Sequence, residues 1–149
     1  MATVLENKKV RLNFEVLRAF EAGLDLRGFE VKALRARQGS LEGAHVTVRG
    51  GEAYLIGMTI PPYQMANTPT SYDPVRNRRL LLNKKELAEL SGSESQKGLT
   101  IVPISVYSKG HKLKLEIAVA RGKKKYDKRE DLKKRDAKKD IERTLKNQY

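Results

Sequence analysis

The chain has 149 residues and a mass of 16.9 kDa, enough for one compact domain with an appendage and too little for two full cores. Its 31 Lys and Arg against 18 Asp and Glu leave a net charge of +13, so a polyanion, nucleic acid first, is the expected partner. The absence of cysteine excludes disulfides, thiolate metal sites and cysteine nucleophiles, and two histidines are too few for an all-histidine metal site, so no metal or cofactor is implied. With no apolar run of about 18 residues, and no apolar stretch of signal-peptide type in Met1–Val10, the sequence predicts a soluble, cytoplasmic protein with no membrane partner.

From Val10 the apolar residues fall on even positions as far as Leu26, which predicts one long strand, interrupted at Arg18 and bent or bulged at Gly23. Val31 and Leu34 with Ala33 and Ala36 predict a short helix over 29–37, ended by Gly39. Two strands, 44–49 and 53–60, should pair through the tight turn that Gly50-Gly51 permits. Residues 61–79 hold four of the five prolines and read as a long exposed connection. Asn83 with Glu86 reads as a helix start, with Leu87 and Leu90 facing inward and Ser91-Gly92 as the stop.

After that helix, 99–108 and 111–120 form a hairpin through Lys109-Gly110, with Leu113, Leu115, Ile117 and Val119 inward. Five or six antiparallel strands with short helices predict a mainly β fold, a small OB-like barrel spanning residues 1–120. Residues 121–149 differ in kind. They carry 13 basic and 6 acidic side chains with Leu132, Ile141 and Leu145 as the large aliphatics, too little apolar area to offset the entropy of ordering a backbone. The segment is therefore expected to be disordered when free. Acid-to-base spacings such as Glu130 to Lys134 and the Ala137, Ile141, Leu145 stripe fit it to become helical against a partner.

Catalytic patterns are missing. There is no phosphate-binding loop and no dinucleotide fingerprint. His45 and His111 would be the acid and base of an RNA-cleaving enzyme, but each begins a strand and reads first as an edge residue. Binding signals are stronger. Arg76, Arg78 and Arg79 place three guanidinium forks just before Leu80-Leu81-Leu82, and Lys8, Lys9 and Arg11 make a second basic group. In the tail, Gly122-Lys-Lys-Lys-Tyr126-Asp127-Lys-Arg129 joins a flexible start to cations and one ring able to stack on a base. Charge and size alone also allow a structural ribosomal-type protein whose basic extension threads rRNA.

Asn7-Lys-Lys, Phe20-Glu-Ala-Gly-Leu24, Glu30-Val-Lys32, Leu34-Arg-Ala36, Gly51-Glu52, Asp73-Pro-Val-Arg-Asn-Arg-Arg-Leu-Leu-Leu82, Lys84-Lys-Glu-Leu87, Gly122-Lys-Lys124 and Asp127-Lys-Arg129 together resemble the small protein B family, the SsrA-binding proteins of bacterial trans-translation. The resemblance implies an OB-like barrel with a tail that turns helical on the ribosome. It also implies a non-enzymatic adaptor that binds the tRNA-like part of transfer-messenger RNA and brings it to stalled ribosomes, the tail entering the decoding centre and empty mRNA channel. Alanyl-tRNA synthetase and elongation factor Tu are then indirect partners. Carried over by position, the RNA surface comprises Asn7, Glu21 and Leu81, with Arg76, Arg78 and Arg79 beside them. The ribosome-binding residues are Gly122, Lys123, Lys124, Tyr126, Asp127, Lys128 and Arg129, with Ile141 and Leu145 further along. The chain departs from the family pattern at Leu12-Asn13-Phe14, where a His and a Tyr are usual, and at Arg37-Gln38, where Gly-Lys is usual.

Overall fold

A computed structural model describes residues 2–64, 66 and 68–123. Its elements in chain order are β1 (Ala2–Glu6), α1 (Val10–Asn13), β2 (Phe14–Leu24), α2 (Gly28–Arg35), β3 (His45–Arg49), β4 (Glu52–Ile56), β5 (Arg78–Leu81), α3 (Lys84–Glu94), β6 (Leu99–Lys109) and β7 (Lys112–Gly122). Every strand pairing is antiparallel. The strand order β1-β6-β3-β4-β5-β2-β7 closes on itself because β6 also pairs with β7. The result is the expected OB-like barrel. β1 lies outside the ring, as an added strand on the half of β6 from Ser105 to Ser108, while β3 meets the other half at Ile101.

The alternation of β7 holds as read. Leu113, Leu115, Ile117 and Val119 enter one core with Phe20, Ala22, Leu55, Leu80 and Val106, capped by Ala33 and Leu34 of α2 and Leu90 of α3. The β3–β4 turn also forms as read, with Gly50 and Gly51 both at positive φ, a conformation that costs glycine little.

Four expectations are corrected. The strand predicted to begin at Val10 begins at Phe14, because Val10–Asn13 form a helical turn. This turn sets Val10 over a second small core with Val102, Ile104, Ala118 and Ala120 on the opposite face of the β6–β7 hairpin. The register of β2 breaks at Leu17, between Val16 and Arg18, and not at Gly23. Gly23 serves a close approach instead: a Cβ there would lie 3.0 Å from Leu81 Cβ.

Helix α3 runs past Ser91-Gly92 to Glu94. The Glu94 carboxylate accepts from the Thr47 hydroxyl (2.9 Å) and the Val48 N–H (2.8 Å), tying the last turn to β3. Its start is as predicted, with Asn83 and Glu86 capping each other's backbone N–H groups at 2.8 and 3.2 Å. Lastly, the proline-rich connection ends in a barrel strand, β5, whose Arg78 and Leu80 point inward.

Candidate nucleic-acid interface

The three arginines before Leu80 have three different fates. Arg78 is fully buried. All five of its N–H donors are taken: Nε by Glu30 Oε2 (3.0 Å), Nη1 by the Met58 and Arg76 carbonyls (2.7 and 3.0 Å), Nη2 by the Tyr72 hydroxyl and the Pro74 carbonyl (3.0 Å each). A guanidinium with no donor left and no exposed surface cannot grip a phosphate, so the expectation that Arg78 contacts RNA is corrected. Arg76 is largely covered and also pairs with both oxygens of Glu30. Arg79 alone points outward, its side chain 47% exposed, with Glu52 3.9 Å away.

Glu30, itself completely buried, is the hub of this interior cluster. Burial opposes its ionisation, but hydrogen bonds from Arg76 and the Arg27 backbone, with the charge of Arg78, outweigh it and hold its carboxyl below the ordinary value of 4.5. Tyr72 packs edge-on against Phe29 with ring centroids 4.7 Å apart. Burial and the Glu30 carboxylate push its phenol up. The cluster thereby pins the 58–78 connection onto α2 and aims β5 into the ring.

The outer face of the barrel carries the other predicted residues. Cross-strand registers set Tyr107 (β6), Lys114 (β7), Gly23 (β2) and Leu81 (β5) in one row. The neighbouring row is Glu6 (β1), Ser105 (β6), Glu116 (β7) and Glu21 (β2). Leu81 is 49% exposed, an aliphatic that the barrel leaves in water. Beside it lies a hollow of about 290 Å³ lined by Gly23, Leu24, Leu26 and Val31 together with Lys112 and Lys114. The Tyr107 hydroxyl donates to Glu21 Oε2. Lys109 Nζ sits 3.2 and 3.4 Å from the two oxygens of the same carboxylate. These two hydrogen bonds, Tyr107's first, hold the Glu21 carboxyl below its ordinary value, while burial and Glu21 push the Tyr107 phenol up.

Asn7 follows Glu6, three strand spacings or about 14 Å across the sheet from Glu21, and borders this face. Its amide nitrogen donates to the Pro103 carbonyl (3.1 Å) and reaches the Leu41 carbonyl (3.4 Å). Lys8, Lys9 and Arg11 surround this corner exposed, and Lys9 pairs with Glu42. Glu21 and Leu81 thus share one face with Asn7 at its edge. His45 and His111 do not converge: His45 lines a hollow with Asn7 and Phe14, His111 the separate one beside Leu81.

Sequence reasoning missed Tyr107, Lys109, Lys112 and Lys114 as members of this face. The available signal was the outward phase of the β6–β7 hairpin, which places 107, 109, 112 and 114 on the side away from the core. Gly122 closes β7 opposite Phe14, and the Lys123 N–H donates to the Asn13 carbonyl (2.8 Å). The expectations for Lys124, Tyr126, Asp127, Lys128, Arg129, Ile141 and Leu145 lie outside the described residues.

A sequence model of the family described as SmpB protein matches residues 4–147 of the chain. The chain belongs to the SmpB family. Among relatives, the SsrA-binding protein of Gloeobacter violaceus is 45% identical over 142 residues, covering 95% of this chain and 93% of that one. The SsrA-binding protein of Alkalilimnicola ehrlichii is 48% identical over 140 residues, covering 94% and 88%. A chain from a solved structure named "tmRNA-SmpB: a journey to the center of the bacterial ribosome" superposes with a TM-score of 0.69 at 42% identity, covering 83% of this chain and 87% of that chain. Family membership over this length agrees with the barrel. Among the described residues no helix is long and apolar enough to cross a membrane.

Proposed function

We propose that this chain is a non-enzymatic, cytoplasmic RNA-binding adaptor. It binds the tRNA-like domain of transfer-messenger RNA through the outer barrel face and accompanies it to stalled ribosomes for trans-translation. The observation that carries the reading is the half-exposed Leu81 beside a lysine-rimmed hollow on a closed barrel, in a chain whose relatives are named SsrA-binding proteins. An exposed aliphatic among cations suits a base or ribose with its phosphates better than a bare polyanion. The residues after Lys123 occupy the decoding centre and the empty mRNA channel in this reading. Alanyl-tRNA synthetase and elongation factor Tu act on the same RNA as indirect partners.

The test is equilibrium binding of the full chain to transfer-messenger RNA and to ordinary tRNA at one physiological salt concentration. A clear preference for transfer-messenger RNA is expected; equal affinity for the two overturns the assignment. Because β7 runs through Gly122, truncation after Lys123 spares the barrel. It should leave RNA affinity largely intact while abolishing tagging of stalled chains, and loss of both together would contradict the division of roles. Stoichiometric recovery with purified ribosomal subunits in the absence of transfer-messenger RNA would favour a structural ribosomal protein instead.

A further inference from the structure

We infer that Tyr107 is a positioning residue for RNA recognition: with Lys109 it fixes Glu21 as an acceptor for the N–H edge of an unstacked guanine lying against Leu81. The inference rests on the RNA-binding reading above and adds to it how a carboxylate can serve on such a surface. A carboxylate only accepts hydrogen bonds and a phosphate offers no donor, so Glu21 gains nothing from the RNA backbone. What RNA can offer it are base N–H groups and 2′-hydroxyls. Among bases, guanine alone presents two adjacent donors on one edge, N1–H and N2–H, a fork that matches the two carboxylate oxygens.

The surroundings of Glu21 fit that use. Its side chain is 38% exposed, so it remains open on one side to an incoming donor. From the other side Tyr107 donates to Oε2 and Lys109 approaches both oxygens, the two coming from alternate positions of one strand. A long exposed side chain held before binding loses less rotamer freedom on binding. Two residues along β2, Gly23 lets Leu81 pack close over the strand on the same face, with Lys114 beside it in register. A flat ring laid there has an aliphatic surface next to it, the carboxylate at its edge, and the ammonium groups of Lys112 and Lys114 near its phosphates.

The experiment measures equilibrium binding of the full chain to the tRNA-like domain of transfer-messenger RNA for the unmodified protein, Tyr107→Phe, Glu21→Gln and the double variant, each over a range of salt. Tyr107→Phe keeps the ring and removes the donor. It should weaken binding roughly tenfold, with no change in salt slope and no change in thermal midpoint. Added to Glu21→Gln, it should cost nothing further. RNA in which inosine, lacking the N2 amino group, replaces the loop guanines should bind the unmodified protein more weakly but Glu21→Gln no worse than the normal RNA does. Unchanged affinity of Tyr107→Phe, fully additive losses in the double variant, or a reduced salt slope would each overturn the inference, the last by marking a phosphate contact. If the unmodified protein shows no preference for transfer-messenger RNA, both the function and this inference fall. A preference that survives Tyr107→Phe intact removes the inference alone.

Discussion

The molecule contains two clusters assembled from the same parts, a glutamate, a tyrosine hydroxyl and basic side chains, one inside the barrel wall and one on its outer face. Glu30, Tyr72, Arg76 and Arg78 form the first; Glu21, Tyr107 and Lys109 form the second. In the interior cluster every donor of Arg78 is spent within the protein, and its carboxylate meets no water. In the outer cluster the carboxylate keeps a solvent side. The difference teaches that charge in a sequence motif does not say where the charge acts. Burial converts an arginine into a structural clamp, and exposure leaves a glutamate free to meet a ligand.

Breaking the interior cluster should have the largest effect. Arg78→Ala leaves Glu30 buried without its full-length partner and three carbonyls without donors, so unfolding in denaturant should show a loss of about 3–5 kcal/mol. Arg79→Ala, one residue along and facing outward, should change stability by less than about 0.5 kcal/mol. If both variants lose stability equally, the contrast between the two regions is wrong.

Acid sharpens the same contrast. The Glu30 carboxyl is held below its ordinary 4.5 in the folded chain, so its contribution is present above that value and is lost as pH falls through the lower folded value. Stability followed from pH 7 downward should therefore drop below about pH 4.5 in the unmodified protein. Part of that drop should disappear in Glu30→Gln, which starts from a lower stability at neutral pH. Glu21→Gln, altering a carboxylate that is also held low but lies where water screens its pairings, should remove a smaller part of that drop than Glu30→Gln does.

RNA binding separates the neighbours by a smaller effect. Arg79→Ala should reduce the slope of log affinity against log salt by roughly 0.7 if it touches one phosphate of an unpaired segment. An unchanged slope would remove Arg79 from the interface. The smallest effect belongs to Arg37, the one described non-glycine residue at positive φ (60°). It occupies the left-handed position that ends α2, with the Arg37 N–H on the Leu34 carbonyl and the Gln38 N–H on the Ala33 carbonyl. Glycine at this position relieves the left-handed strain but gives up the Arg37 hydrogen bond to the Thr3 carbonyl and adds freedom to the unfolded chain. Arg37→Gly should stabilise by about 0.5 kcal/mol or less, read as a shift in denaturant midpoint.

Those opposing terms show why some features were legible and others not. Paired glycines at 50 and 51, the Asn83 cap with Glu86, and the alternation through β7 are local signals, and each formed where its residues implied. Arg78 was misread because its partner Glu30 lies 48 residues earlier, and nothing near either residue in sequence announces the pairing. β1 went unread because its backbone pairing lies on β6, about a hundred residues away. The candidate site divides the same way: Glu21 and Leu81 were named from a resemblance, while Tyr107, Lys109 and Lys114 joined them only through cross-strand register.

Local pattern alone thus determined the hairpins, the start of α3, the mainly β barrel and the basic character of the chain, since turn geometry, capping and side-chain alternation are settled within a few residues of backbone. Tertiary structure decided which arginine is a buried clamp and which stays exposed, that Val10 caps a second core, and that a tyrosine on β6 reaches a glutamate on β2. Those outcomes depend on ring closure, which brings distant strands within one hydrogen bond of each other and sets which side chains lose their water.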